Sequence, residues 1–261
     1  MRVKRLEAVE AYIRQVGSVS IQQLCQEFNV SINTIRRDID ALVQKGQVKK
    51  VYGGVVALGA TEGDGTPVTR ELMDFQVRNQ ECLEAKNRIG CKAAEFVNHG
   101  DTIFLDSGST TLQMVPHLAE KKNLTVVTYS LPVLAALAQY PQIRTVALPG
   151  VVLGRTASVV GSSTCQALRH FNCAKAFMGC TGLSLTRQLT NATFEEFEVK
   201  QVALAQSKVH YLLADHEKFE YAALMTYGQI ADMDYLITDQ ELEAVYRVYL
   251  QEHDVTLVLA E

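Results

Sequence analysis

Apolar positions along the chain change their period at two places. Leu6, Val9, Ile13 and Val16 recur at helical spacing and predict a first helix from about residue 3 to 16, ended by Gly17. Ile21, Leu24, Cys25 and Phe28 repeat that spacing over a shorter stretch opened by Ser20, and Asn29-Val30 makes a turn. Ile32, Ile35, Ile39, Leu42 and Val43 then form the stripe of a third helix, with Ser31 as its N-cap. Three short helices with a tight turn before the third make a helix-turn-helix. After Gly46 the pattern becomes QVKKVYGGVVAL, in which Val48, Val51, Val55 and Val56 surround Gly53-Gly54 and predict a small hairpin, or wing.

The polar side of the third helix carries chemistry. At about 100° per residue Arg37 lies nearly opposite the stripe, with Asn33, Thr34 and Ala41 beside it and Arg36 at its flank. Asn and Arg each offer two parallel hydrogen bonds to a purine edge, and a short Thr or Ala lets the backbone sink into the major groove. Ser31, Asn33, Thr34, Arg36 and Arg37 are therefore the candidate DNA-binding residues, with Arg36 placed for a phosphate or for Asp40 one turn later. Lys49 and Lys50 on the wing are available to the phosphate backbone, or serve only to discourage edge-strand pairing.

Residues 57 to 68, ALGATEGDGTPV, are Gly-rich and aperiodic and read as a linker. The expected organisation is a winged helix-turn-helix domain over 1–57, a linker over 58–73 and a second domain over 74–261. That second domain opens with a helical stretch, roughly 74 to 98, and then alternates β-runs with helical patterns. The candidate strands are 101–106, 124–129, 143–149, 175–180, 209–214, 235–238 and 255–260, several of them continuously apolar, as strands covered on both faces are. The fold class is α/β, with a mostly parallel sheet in the body.

In such sheets ligands collect outside the carboxyl ends of strands. Three strand-end turns there are polar. The first is Asp106, Ser107, Gly108, Ser109, Thr110 and Thr111, where Gly108 allows a tight turn and the hydroxyls join free N–H groups at a helix start, a cradle for phosphate. Asp106 would repel a phosphate in contact, so it binds a sugar hydroxyl or orders the loop. Pro116 shortens or kinks the helix that follows. The second turn is Thr128, Tyr129 and Ser130; the third is Asp215-His216-Glu217-Lys218. Gly179, Thr181 and Gly182 close the set. Lys200 is a helical cation whose partner is either an anionic ligand or Glu196 one turn back.

Charge sharpens the division. The whole chain carries a formal net charge of -4, but residues 1 to 55 hold nine Lys and Arg against five Asp and Glu, and the remainder 16 against 24. A basic head on an acidic body fits nucleic-acid binding by the head alone. The six cysteines include no C-x-x-C pair and read as reduced core or surface thiols, so neither a metal nor a cofactor is expected. The charged opening MRVKRLEAVE is no signal peptide and no apolar run approaches a membrane span, which predicts a cytoplasmic protein.

The run SINTIRRDIDALVQKGQVKKVYGGV resembles the N-terminal signature of the DeoR family of bacterial transcriptional regulators, with its Ser-x-x-Thr-x-Arg-Arg-Asp core and Gly-Gly wing. Within that family, QLCQEFNVSINTIRRDI is most similar to the inositol-catabolism repressors. DSGSTT, TYS and ADHEKF resemble the family's effector domain, with Tyr129 where Asn is usual, Glu217 off the common pattern, and Pro149-Gly150 where Gly-Gly is usual. The resemblance implies a body related to ribose-5-phosphate isomerase that senses phosphorylated sugars. It also implies a homo-oligomer, dimer or tetramer, that binds double-stranded operator DNA and represses a sugar or polyol catabolic operon until its effector binds. The competing reading is a sugar-phosphate isomerase with a DNA-binding appendage, using Glu195, Glu196 or Glu198 as general base. A constitutive architectural DNA binder is weaker, since it needs no such body.

Overall fold

The computed structural model describes residues 2–16, 18–20, 24–25, 27–28, 30–44, 48–51, 54–57, 68–69 and 72–261. The chain separates into two compact units, Met1–Val68 and Thr69–Glu261.

The first unit holds the helices Arg2–Val16 and Ile32–Gln44, with Leu24, Cys25 and Glu27 helical between them. Ile21 and Asn29 lie outside the described residues. Val9, Ile13, Leu24, Ile35, Ile39 and Leu42 share one buried core with Val19, Val48 and Val55. The stripe of the third helix is narrower than its periodicity predicts: Ile32 and Val43, in its end turns, are 43% and 38% exposed. Asp38 is buried instead, its carboxylate accepting from Arg5 Nε at 2.8 Å and Nη2 at 3.2 Å. The wing is the antiparallel pair Val48–Val51 and Gly54–Ala57, with Ser18–Ser20 added beside the second strand. That third strand is absent from the sequence reading, which made Ser20 the opening of a helix; three residues are too few to show a period.

In the second unit, all seven expected strands form one sheet. Its order is Thr256–Leu259, Tyr235–Thr238, Ser207–Leu213, Cys173–Gly179, Thr102–Leu105, Thr125–Thr128, Arg144–Ala147, and every neighbouring pair is parallel. Both faces are covered. Phe104, Val127, Met178, Leu212 and Leu236 belong to one core with Leu168, Val199 and Tyr246 from helices. Ile103, Leu105, Val126, Phe177 and Ile237 belong to another with Ile89, Ala93 and Val133. Alternate residues of the inner strands thus enter opposite cores, which is why several of them read as unbroken apolar runs. On the second face Phe177, Tyr211 and Tyr235 stack across three adjacent strands, with centroids 4.7 Å apart at each step.

The long helix expected over 74–98 is two, Phe75–Gln80 and Leu83–Glu95, separated where Cys82 takes a left-handed conformation at φ 49°. Pro116 acts as expected: the helix Ser109–Leu112 is a single turn, followed by a 3₁₀ turn over Val115–Leu118. Small antiparallel sheets are additional among the described residues, including one of Gly182–Ser184, Gln188–Asn191 and Met225–Gly228 and another of Val151–Leu153 and Ser158–Val160. Among the described residues no helix is long and apolar enough to cross a membrane.

Gly90 fixes how the helix Leu83–Glu95 meets the first polar turn. A Cβ there would sit 2.6 Å from the carbonyl carbon of Gln113. Alanine in a helix normally stabilises relative to glycine, but here the backbone contact decides the sign. Gly90→Ala is expected to lower stability by about 1–3 kcal/mol, the range for overpacking, read as a lower urea midpoint.

Candidate functional site

In the head, Ser31 caps the third helix as its position implies: the Thr34 N–H donates to Ser31 Oγ at 3.3 Å, and the two hydroxyls lie 2.9 Å apart. Asn33, Arg36 and Arg37 are exposed and Thr34 is half-buried. With Ile35, Asp38 and Ile39 turned to the core, these residues lie on the helix's free side. Lys49 and Lys50 lie on the first wing strand, opposite Val56 and Val55; their side chains are outside what the structure describes.

In the body, the turn after Thr102–Leu105 is held by its first residue. Asp106 is fully buried. One carboxylate oxygen accepts from the Tyr129 hydroxyl at 2.5 Å; the other accepts from the Gly179 N–H at 2.8 Å and from Lys200 Nζ. Lys200 also donates to the Gly179 carbonyl at 2.8 Å and lies 4.8 Å from the Tyr227 ring centroid. Of the two roles open to Asp106, the geometry shows loop ordering, and Lys200 pairs with Asp106 rather than Glu196. Burial, then the Asp106 and Glu196 carboxylates, push the Tyr129 phenol well above its ordinary pKa, so it stays a donor.

Ser107 Oγ donates to Glu196 Oε1 at 2.8 Å, and Ser158 and Thr193 hydroxyls reach the same carboxylate at 3.3 Å. Thr111 Oγ1 donates back to the Asp106 and Gly108 carbonyls, both at 2.8 Å, and Thr128 Oγ1 to the Leu105 carbonyl at 2.7 Å. Ser130 caps the helix Leu131–Leu137. Gly108 corrects the tight-turn argument: its φ of −71° suits any residue. What a side chain would meet there is Thr111 Oγ1, 3.2 Å from a Cβ. Gly182 is needed for close approach, since a Cβ would fall 2.5 Å from the Tyr221 carbonyl oxygen.

Gly108, Ser109, Thr110, Gly179, Cys180, Thr181 and Lys218 surround a small cavity, with Met73, Arg78 and Glu81 across it. Ser109 and Thr110 have no role in bracing the turn comparable to that of Thr111. Behind Lys218 lies a buried charge cluster. Asp215 Oδ2 is 3.9 Å from Lys218 Nζ and 4.0 Å from Lys86 Nζ, and has no hydrogen-bond partner. Lys86 has no exposed surface and donates to the Arg78 carbonyl at 2.5 Å. One carboxylate between two ammonium groups leaves a positive surplus beside the cavity, which favours an anion. Cys180 is no nucleophile, since burial pushes its thiol up to about 12.

Burial, then Lys218, lower Lys86 from 10.5 to about 8. Between those values the unfolded chain holds a proton that the folded chain has lost, so this group's contribution makes stability rise with pH across that window. Urea unfolding from pH 8 to 10.5 is expected to show that rise in the native chain and a flatter profile in Lys86→Met.

The structure thus brings Gly108, Ser109, Thr110 and Lys218 to one cavity, sets Asp215 behind it, and places Asp106, Ser107, Thr111, Thr128, Tyr129 and Lys200 in the framework beneath. Ser130 and Gly182 lie outside the lining. Sequence reasoning did not find Lys86, Arg78 or Tyr227, and it raised Glu196 only as a partner for Lys200 or a general base, not as the acceptor for Ser107. Thr193-x-x-Glu196 is a helix-capping spacing, and it is the one local signal that marked any of them.

A winged helix-turn-helix joined to a parallel α/β unit with a cationic, hydroxyl-lined cavity at its strand ends is the construction of a ligand-responsive transcriptional regulator. Residues 5–61 match the DeoR-like helix-turn-helix domain and residues 81–240 the DeoR C terminal sensor domain. The chain belongs to the DeoR family of transcriptional regulators. It is 36% identical over its whole length, and that of the relative, to the HTH-type transcriptional regulator IolR of Bacillus subtilis. With the glycerol-3-phosphate regulon repressor of Escherichia coli it shares 26% identity over 99% of both chains. Among solved structures, ribose 5-phosphate isomerase A of Neisseria gonorrhoeae aligns over 54% of each chain with 22% identity and a TM-score of 0.38.

Proposed function

We propose that the chain acts in the cytoplasm as a repressor of a sugar or polyol catabolic operon. In this reading residues 1–57 bind operator DNA, 58–73 link, and 74–261 bind the effector and assemble the homo-oligomer, a dimer or tetramer. A phosphorylated sugar or related intermediate enters between Ser109, Thr110 and Lys218 and releases the DNA. The observation that carries the proposal is the cavity: Ser109 and Thr110 line it together with a lysine backed by a second buried lysine, the residue types and charge a phosphate requires. One of the relatives is a glycerol-3-phosphate regulon repressor, which supports the same class of effector.

The cavity, partly open to solvent, holds about 20 Å³, room for roughly one water. A sugar phosphate is accommodated as rim side chains such as Arg78 and Glu81 swing outward, leaving Lys218 to meet it. That movement is a route from occupancy to the arrangement of paired heads, on which half-site spacing makes operator affinity depend. The isomerase reading is disfavoured because Glu196 is buried among Ser107, Ser158 and Thr193, and Asp106 is bound to Tyr129, Gly179 and Lys200. Neither is placed as a general base at the cavity.

The test is fluorescence anisotropy on DNA from upstream of the chain's own operon, at fixed salt because phosphate contacts dominate affinity. Sugar and polyol phosphates are titrated against their dephosphorylated forms. Release by a phosphorylated compound alone is expected. The Ser109→Ala, Thr110→Ala double variant is expected to keep operator affinity and lose that release; an intact response places the pocket elsewhere.

A further inference from the structure

We propose that Cys82, His216 and Glu217 form a binding site for a transition-metal dication, with Zn²⁺ the ion their donor set fits. One sulfur, one imidazole nitrogen and one carboxylate oxygen lie within 4.8 Å of one another. His216 Nε2 and Glu217 Oε1 are 3.6 Å apart. Two donors on one tetrahedral Zn²⁺ stand roughly 3.5 Å apart, given bonds of about 2.0–2.3 Å. The histidine and the glutamate are therefore already spaced for a shared ion, and the thiol has about 1 Å to close.

The imidazole is prepared for this role. Asp239, its side chain 1% exposed, accepts from the His216 backbone N–H at 2.8 Å and from the ring Nδ1 at 2.7 Å. A carboxylate on Nδ1 engages that nitrogen and leaves Nε2 as the ligating atom, the arrangement that orients and strengthens zinc-bound histidines. Charge around the cluster is balanced until the thiol ionises, and an ion that binds the thiolate takes up the added negative charge. Glu217, Asp239, Asp215 and a Cys82 thiolate face Arg88, 3.9 Å from Asp239, together with Lys86 and Lys218 beside Asp215. Three protein ligands leave a fourth position to water or to another ligand, as in open zinc sites.

The ligands come from separate segments. Cys82 occupies the left-handed break between two helices, next to Glu81 on the cavity rim, and His216 and Glu217 precede Lys218 on the opposite rim. An ion there ties the two walls of the cavity together. The site stands independently of the effector reading, because it needs no sugar and no DNA to fill.

The experiment is titration of the metal-stripped full-length chain with Co²⁺ as a spectroscopic substitute for Zn²⁺. One equivalent per chain is expected, with a thiolate-to-cobalt charge-transfer band in the near ultraviolet. Cys82→Ser abolishes that band, and Cys91→Ser, at an exposed cysteine outside the cluster, retains it. Asp239→Asn, which leaves all three ligands in place, weakens Zn²⁺ binding against a chelating indicator by about 10–100-fold. A missing band, a band that survives Cys82→Ser, or Zn²⁺ affinity unaltered in both Asp239→Asn and Glu217→Gln overturns the proposal.

Discussion

Replacing Lys200 with methionine is expected to lower the stability of the body by about 3–5 kcal/mol, the range for removing one partner of a buried ion pair. Lys200 is 4% exposed and Asp106 not at all. The substitution leaves a carboxylate in the interior with only the Tyr129 hydroxyl and the Gly179 N–H to hold it. It also frees the Gly179 carbonyl from one of its two donors, leaving Tyr227 at 3.0 Å. Asp106→Asn strands the ammonium instead, with the Gly179 carbonyl and the face of Tyr227 as its remaining partners. The double variant Asp106→Asn, Lys200→Met removes both charges and is expected to be more stable than the sum of the single losses predicts. Urea unfolding of the four chains measures the coupling. Additive losses would mean that the pair contributes nothing beyond its separate contacts.

What the sequence disclosed follows from which forces act locally. The seven strands were legible because burial on both faces makes several of them continuous apolar runs, and polar turns bound the rest, including the edge strands Arg144–Ala147 and Thr256–Leu259. The turn from Asp106 to Thr111 was legible as a cluster of hydroxyls after a strand, but the division of labour within it was not. Ser109 and Thr110 line the cavity while Thr111, one residue on, is turned to the backbone, and residue type alone does not separate them. Long-range pairings left no local trace. Arg5 and Asp38 are 33 positions apart, and Lys200 and Asp106 are 94 apart. Lys86 sits in LEAKNRIG, where a lysine ordinarily reads as a solvated helix position; its burial comes from packing near Arg78, Asp215 and Lys218. The short strands Gly182–Ser184 and Val151–Leu153 are stabilised by their partners rather than by any period of their own.

Arg37→Ala is expected to weaken binding to the cognate operator by about 1–3 kcal/mol, with a much smaller loss on random DNA. Three contacts fix the roll of the recognition helix: Ile35 and Ile39 are buried in the head's core, and Asp38 is tied to Arg5 on the first helix. With those positions facing inward, Arg37 is exposed on the side shared with Asn33, where a guanidinium reaches a guanine edge with two parallel hydrogen bonds. Arg36, also exposed but nearer the flank, suits a phosphate. Its replacement by alanine is expected to weaken both DNAs alike and to lower the salt dependence of binding by about one unit of log–log slope. The two arginines are adjacent, so comparison across a salt series separates reading from anchoring without changing the fold. If Arg37→Ala weakened both DNAs equally and took the salt slope with it, Arg37 would be the anchor, and sequence readout would pass to Asn33 and Thr34.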